Sequence, residues 1–218
     1  MGFQGRLILQ NWPALLTGLG ETVAITVAAL LIGVFVGAAL CTVRLSGLRT
    51  GRQVAGGVIA FFRTTPEMIL LFWAYFCVPE ITGANIPALA AGVVTLGLVT
   101  GAYLAEIFRA GIQALPPGQN EAARALGLPG FARWRRVLLP QALRGMTPPL
   151  MNYFTELVKN TTLLSAIGVS ELSLRAYLLG GQTFRYLEFL TAIALGYFLL
   201  IFPASLLSRR LEARQPHA

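Results

Sequence analysis

The sequence predicts an all-α membrane protein with five transmembrane helices and a short helix in one cytoplasmic loop, and two observations carry this prediction. Apolar residues make up 56% of the 218 positions, charged residues only 12%, and the mean hydropathy is +0.68. A soluble domain contains about 25% charged residues. The apolar residues also form long stretches, sufficient for a helix of about 20 residues to cross the hydrocarbon of a bilayer.

Five stretches are expected to span the membrane within a single domain, residues 1–218. The first is too long for a signal peptide, and its positive charges follow it rather than precede it. The third is rich in Gly, Ala and Thr, which allow close helix packing in lipid. Short helices are expected in the lead-in, residues 1–13, and in the connection 168–185. The predicted spans are residues 14–43, 54–78, 86–107, 146–167 and 186–207, and a long loop, residues 109–145, joins the third span to the fourth.

The placement of positive residues predicts the orientation. Loops that face the cytoplasm carry an excess of Lys and Arg. Twelve of the 17 Lys and Arg fall in one set of loops and in the tail, whereas three fall in the other set. We therefore expect a multi-pass protein of the cytoplasmic (inner) membrane, with its N-terminus outside and its C-terminus and loop 109–145 in the cytoplasm. The net charge of +8 then reflects topology, and no nucleic-acid partner is expected.

Few residues of the chain are suited to catalysis or metal binding. The only histidine is His217 in the tail, and Cys41 and Cys77 lie in apolar stretches, where buried thiols are expected rather than a disulfide. The sequence holds no Cys/His cluster for zinc and no G-x-x-x-x-G-K-[ST] phosphate loop. We expect a protein that is not an enzyme and binds no metal or cofactor itself. The same lack of acid, histidine or metal clusters counts against a membrane enzyme that acts on lipid.

The loop 109–145 contains a short helix-forming segment. Pro116 and Pro117 precede it, where proline is tolerated in a first helical turn, and Gly127 ends it. A helix over residues 118–126 is therefore predicted. The motif in this loop is Glu121-Ala122-Ala123, then Gly127 after three residues, then Val137-Leu138-Leu139-Pro140 after nine more.

This motif resembles the EAA loop of membrane subunits of ABC importers, with Val137 where that family usually has Ile. The resemblance implies that the short helix is a coupling helix, which docks into a groove on a separate cytoplasmic ATPase. Alanines suit that use because they let another surface approach closely. An ordinary basic cytoplasmic loop is the alternative. The coupling residues implied by the motif are Glu121, Ala122, Ala123, Leu126 and Gly127.

Three further segments resemble those of permeases for polar amino acids, a subfamily of type I ABC importers whose cargoes include histidine, glutamine, glutamate, arginine and opines. The resemblance implies four partners: an ABC ATPase dimer that uses ATP and Mg, a second permease subunit (identical or homologous), an extracytoplasmic solute-binding protein, and a polar amino acid. The segments are Ala60-Phe61-Phe62-Arg63-Thr64-Thr65-Pro66, Ala102-Tyr103-Leu104-Ala105-Glu106-Ile107-Phe108-Arg109, and Glu156-Leu157-Val158-Lys159-Asn160-Thr161-Thr162-Leu163.

Charged residues inside spans are candidates for a substrate cavity. Such charges are costly in lipid and usually face a cavity or a partner. Arg63 and Glu67 are four residues apart, and Glu156 and Lys159 are three apart, so each pair is expected to interact on one helix face. The pairs serve either as neutralised contacts between helices or as the lining of a polar cavity that needs both signs for an amino acid. Thr65, Pro66, Asn152 and Thr161 complete the predicted cavity.

Pro66 and the threonines each have a second interpretation. Pro66 either opens the helix towards a cavity or only kinks it. The threonines either supply hydroxyls to a cavity or bond back to their own helix. Glu106, near the cytoplasmic end of the third span, is expected to pair with an arginine of the adjoining loop rather than to touch cargo.

The sequence thus predicts the transmembrane subunit of an ATP-driven importer for a polar amino acid. Five spans are too few to enclose a pathway, so the pathway is expected between two subunits in the membrane. The alternative is a membrane interaction or signalling protein that has this fold and does not transport.

Overall fold

The computed structural model describes residues 3–212, with side chains described for residues 3–210. Every regular element in these residues is helical. His217, in the tail, lies outside the described residues. The α-helices are α1 (Gly5–Gln10), α2 (Trp12–Leu45), α3 (Arg49–Thr64), α4 (Glu67–Phe72), α5 (Val78–Thr82), α6 (Ala88–Gln113), α7 (Pro117–Ala125), α8 (Gly130–Arg133), α9 (Leu139–Asn160), α10 (Leu172–Thr183) and α11 (Tyr186–Glu212).

Three non-α helical segments connect some of these helices end to end. A π-helix (Trp73–Cys77) joins α4 to α5, a second π-helix (Trp134–Leu138) joins α8 to α9, and a 3₁₀ helix (Thr161–Ile167) follows α9. The short helices expected in the lead-in and in the connection 168–185 are present as α1 and α10. Cys41 is buried and Cys77 is exposed, and both are free thiols, so the expectation of burial holds for the first only.

The apolar stretches of the sequence form long helices. Within the described residues, α2, α6 and α11 are each long and apolar enough to cross a membrane. Two bent pairs also qualify if each pair is a single span: α3 with the α4–α5 segment, bent by 102°, and the α8–α9 rod with α10, bent by 50°. The described residues therefore hold three to five spans by length and composition.

The close packing of α2 against α6 forms the centre of the fold. Gly33 and Gly37 on α2 face Thr100 and Leu104 on α6, and a Cβ added at Gly33 would lie 2.3 Å from Thr100 Cγ2. The glycines of α6 allow the same close approach, because a Cβ added at Gly101 of α6 would lie 2.6 Å from a Val36 methyl of α2. Small residues four apart on two helices allow such backbone approach in lipid. This pair supports α3 on one side and α9 and α10 on others.

Candidate functional site

The helix predicted in loop 109–145 is α7, which lies within one residue of its predicted bounds. Pro117 opens it, and Gly127 ends it with φ +70°. Gly127 N donates to Arg124 O at 2.9 Å and Leu128 N to Ala123 O at 3.2 Å, the two bonds of a Schellman motif. Glycine adopts positive φ without the steric cost that a Cβ brings. The sequence therefore stops this helix sharply.

The surface of α7 is largely open to a partner. Glu121, Ala122 and Leu126 are exposed, with Leu126 at 79% of its full accessible area, whereas Ala123 is buried against the rest of the chain. An apolar side chain this exposed beside small residues is suited to insertion into another surface.

The remainder of the predicted loop is largely helical and continuous with the helix that leads into the predicted span, residues 146–167. The rod of α8 and the second π-helix leads directly into α9, which begins at Leu139 with Pro140 in its first turn. α7 packs mainly against α8 and this π-helix. Gln141 of α9 also donates a hydrogen bond to Gln119 Oε1 of α7 at 3.2 Å. A displacement of α7 would thus be transmitted first to the start of α9.

The predicted ion pair between Arg63 and Glu67 is wrong. Thr65 is extended (φ −81°, ψ 132°), and Pro66 caps α4 with ψ 129°, so the chain leaves the helix between the two charged residues. The spacing of four residues places side chains together only on a continuous helix. The guanidinium of Arg63 instead lies over the ring of Tyr103, 5.1 Å from its centroid.

Glu67 is the first residue of α4, directly after this break, and one of its carboxylate oxygens is unsatisfied within the described residues. Its Oε2 is buried and has no hydrogen-bond partner among the described residues. Tyr153 and Glu156 are within electrostatic range of it. Tyr153 stacks on Tyr103 with centroids 4.9 Å apart. A row of neighbouring side chains therefore leads from Arg63 over the two stacked tyrosines to Glu67. An oxygen buried without a partner is costly unless a donor arrives.

The predicted pair on α9 is present, and it lies on an exposed face. Lys159 Nζ is 3.2 Å from Glu156 Oε2, and both side chains are more than half exposed. Asn152 is on the same face and accepts a hydrogen bond from Ser208 of α11 at 3.4 Å. A charged and amide-bearing stripe exposed on a membrane helix requires water or another polar surface beside it.

Thr161 lies away from this face. Its side chain is fully buried, and its hydroxyl donates to Val158 O at 2.8 Å and lies 3.4 Å from the Tyr197 hydroxyl. Thr64 likewise bonds back to its own helix, at Ala60 O. The back-bonding interpretation therefore describes these two threonines in this conformation, whereas Thr65 is half-buried at the break.

Two buried glutamates, Glu171 and Glu188, were not predicted from the sequence because neither lies in a recognised motif. Glu171 is fully buried and caps α10, accepting from Ser173 N at 2.9 Å and Leu174 N at 3.0 Å. The Tyr197 hydroxyl donates to the same carboxylate at 2.9 Å. Glu188, in the first turn of α11, accepts from Gln4 N at 3.1 Å and fixes the lead-in. The signal available for Glu171 was an acidic residue directly before an apolar helical segment.

Glu106 pairs with arginines, as predicted. Arg109 donates to Glu106 Oε2 at 2.6 Å, and Arg44 Nε lies 3.8 Å from Oε1. This ion cluster joins the end of α2 to the end of α6, close to the start of α7.

A cavity of about 900 Å³ opens beside this cluster, between the end of α3, α6 and the first half of α9. Its volume is in the range of small-ligand sites, about 300–1,000 Å³. Its charged lining residues are Arg63, Glu106, Arg109 and Arg144, with Tyr103 and Gln141 among the others.

Comparison with known proteins identifies the family. The family model for the inner membrane component of binding-protein-dependent transport systems matches residues 29–216. The chain belongs to this family. The match covers the glycine contacts between α2 and α6, α7 and the polar face of α9 together, so the permease fold predicted from sequence is confirmed.

The relatives of this permease include amino-acid transport proteins. It is 35% identical to an arginine transport system permease of Bacillus subtilis over 202 residues, 93% of this chain and 92% of that protein. It is 32% identical to a putative glutamine transport system permease of Rickettsia bellii over 193 residues, 88% of each chain. A crystal structure of an amino acid ABC transporter with histidines superposes with a TM-score of 0.89 at 36% identity, covering 99% of this chain and 100% of that one. The subunit class expected from the motifs, a permease of the ABC transporter type with apolar helices in the inner membrane, is thereby confirmed.

Proposed function

We propose that this chain is the membrane subunit of an importer that moves a polar amino acid into the cell, with energy supplied by ATP hydrolysis on a separate subunit. The observation that carries the proposal is the packing of α7 against the helical rod that continues into α9. α7 presents Leu126 and Glu121 outward and packs on the rod that becomes α9. α9 in turn carries Glu156 and Lys159 on its exposed polar face. Motion imposed on α7 by a partner would therefore reach that face through one continuous helix.

The partners follow from this arrangement and from the family. α7 and the arginine-rich segments lie at the same end of the helices, which we assign to the cytoplasm, so an ATPase dimer would dock there and use ATP and Mg. This chain contributes no catalytic residue. The exposed stripe of α9 would be covered by a second permease subunit, identical or homologous, and the pathway would run between the two. An extracytoplasmic binding protein would deliver cargo at the opposite end.

The cargo site proposed here uses charges of both signs. Within the described residues, one buried oxygen of Glu67 has no partner, so an ammonium or guanidinium group would satisfy it. Glu156, paired with Lys159, is exposed nearby. Arg63 and Lys159 supply the opposite charge for a carboxylate. Thr65, Pro66 and Asn152 border the same open face, whereas Thr161 would act indirectly, by fixing the end of α9. An α-amino acid with a polar or cationic side chain fits this set of groups.

The test is uptake by the reconstituted system. The permease is co-purified with its ATPase, placed in liposomes with ATP inside, and supplied from outside with binding protein and labelled arginine, glutamine, glutamate or histidine. We expect ATP-dependent accumulation of at least one of these amino acids and none of leucine. Binding of the ATPase without any amino-acid uptake would contradict the proposal and favour an interaction or signalling role.

A further inference from the structure

A polar cluster lies at the end of α9 that is remote from α7, and we call it the anchor cluster. Its members come from four helical segments: Thr22 of α2, Thr161 of the 3₁₀ helix, Glu171 and Ser173 at the start of α10, and Tyr197 of α11. We propose that the anchor cluster holds this end of α9 in place while the other end follows α7. Glu171 and Tyr197 are then positioning residues for the polar face of α9. This inference rests on the proposed function and adds to it the fixed point of the transmitted motion.

The carboxylate of Glu171 is the centre of the anchor cluster. It is fully buried, and within the described residues no Lys or Arg nitrogen lies within 4.0 Å of it. The Tyr197 hydroxyl donates to its Oε2 at 2.9 Å, and the Thr22 hydroxyl lies 3.5 Å from the same oxygen. The Tyr197 oxygen is also 3.4 Å from Thr161 Oγ1 and 3.3 Å from Ser173 Oγ. One phenol therefore connects the end of α9 to the start of α10.

The depth of the anchor cluster indicates a role beyond stability. Tyr197 lies eleven residues after the first residue of α11, about 17 Å along the helix at 1.5 Å per residue. This distance is about half of the 30 Å of hydrocarbon in a bilayer. A buried charge at such a depth is costly, and well-packed apolar residues are often at least as stable in its place. What the polar groups add is direction, because their bonds form only when the four segments are in one arrangement.

The polar face of α9 needs an attachment of this kind because the chain can bend on both sides of it. Pro148 and Pro149 lie inside α9 before Glu156, and each lacks the backbone N–H that a helix uses. After Lys159 the helix changes to the 3₁₀ type and ends at Gly168 with φ +83°. A stretch of 3₁₀ helix next to an α-helix often marks a hinge. With Thr161 held by Tyr197, motion of α7 would turn the polar face about this point instead of displacing it as a whole.

The experiment measures how many amino-acid molecules are moved for each ATP hydrolysed. The complete complex is placed in liposomes with ATP inside and binding protein outside, loaded with the labelled amino acid that the wild type accumulates. Loss of folded protein lowers both rates together and leaves their ratio unchanged, whereas loss of the anchor lowers the ratio. Tyr197→Phe removes a bond to a charged group, which shifts an equilibrium about tenfold or more. We expect this variant to hydrolyse ATP with a ratio lowered by a similar factor, and an unchanged ratio would overturn the inference.

Three further variants separate positioning from stability. Thr161→Val removes a hydroxyl at nearly constant volume and should lower the ratio about twofold or more, whereas Thr161→Ser keeps the hydroxyl and should restore it. Gly101→Ala disturbs the contact between α2 and α6 and should lower Tm without changing the ratio. An equal fall in the ratio for Gly101→Ala, or equal ratios for the two Thr161 variants, would overturn the anchor.

The Thr161 pair decides alone if Tyr197→Phe is not recovered as folded protein. Absence of uptake by the wild-type complex would instead contradict the proposed function itself.

Discussion

The glycine contacts between α2 and α6 make a quantitative prediction for Gly101→Ala. The added Cβ would lie 2.6 Å from Val36 Cγ1 and 2.7 Å from Val36 Cβ. Carbon atoms pack at about 3.5–4.0 Å, so about 1 Å of separation is missing. Rotation of Val36 removes only the first contact because its Cβ is attached to the backbone. The helices must therefore move apart, at an overpacking cost of about 1–3 kcal/mol.

The assay is thermal unfolding of the purified protein in detergent, followed by the loss of the monodisperse peak on size-exclusion chromatography. With about 2–4 °C per kcal/mol for a chain of 150–250 residues, the expected fall in Tm is about 2–12 °C. Gly20→Ala is the matched control. Gly20 is a helical glycine of α2 whose added Cβ meets nothing within 4 Å, so that variant should gain up to about 1 kcal/mol. Equal Tm values for the two variants would refute the close contact between α2 and α6.

Three further predictions test separate parts of the account. A cysteine placed at Gln119 should react with a membrane-impermeant thiol reagent from the cytoplasm and one at Thr82 from outside; labelling of Gln119 from outside would contradict the orientation. Glu67→Gln should lower the uptake rate of cationic amino acids per folded molecule about tenfold or more, by loss of a charge-assisted bond, and an unchanged rate over several amino acids would exclude Glu67 from recognition. Tyr197→Phe removes a donor to the buried Glu171 and should lower stability by about 1.5–3 kcal/mol, which a melting temperature equal to that of the wild type would rule out.

Features encoded over short distances were predictable from the sequence. The bounds of α7 follow from Pro117 at its first turn and Gly127 at its end, because both residues act through their own backbone torsions. The positions of the long apolar helices follow from the apolar stretches of the sequence, since about 20 apolar residues in a row form a helix long enough to cross a membrane. The Glu156–Lys159 pair was also predictable, because a spacing of three residues on a continuous helix brings the two side chains together.

The predicted pairing of Arg63 with Glu67 is wrong because the helix is interrupted between the two residues. A residue before proline is pushed away from the helical region of backbone torsions. The Thr65-Pro66 pair therefore already indicated that Arg63 and Glu67 do not lie on one continuous helix, so that their spacing of four residues does not bring them together. The sequence also suggested that the α9 span begins at residue 146. The basic residues before it indicated a loop, whereas the helix continues back through Trp134–Leu138.

The roles of Glu171 and Thr161 depended on contacts across the fold. The carboxylate of Glu171 is stabilised by Tyr197, 26 residues away, and by the backbone of α10. Thr161 reaches the same tyrosine from the end of α9. No local pattern predicts which of several polar residues meet in a buried network, because the meeting depends on how separate helical segments pack.

The claim that α7 couples ATP hydrolysis to transport is tested most directly by changing the residue that ends it. Gly127 has φ +70°, and its N–H bonds to Arg124 O. Proline at this position removes the N–H and fixes φ near −65°, whereas asparagine tolerates the left-handed conformation. ATP hydrolysis and amino-acid uptake should be measured in the same liposomes for Gly127→Pro and Gly127→Asn. The account predicts that Gly127→Pro is present in the membrane with its uptake lost and its ATPase no longer stimulated by loaded binding protein, while Gly127→Asn retains both. Normal coupled uptake by Gly127→Pro would contradict it.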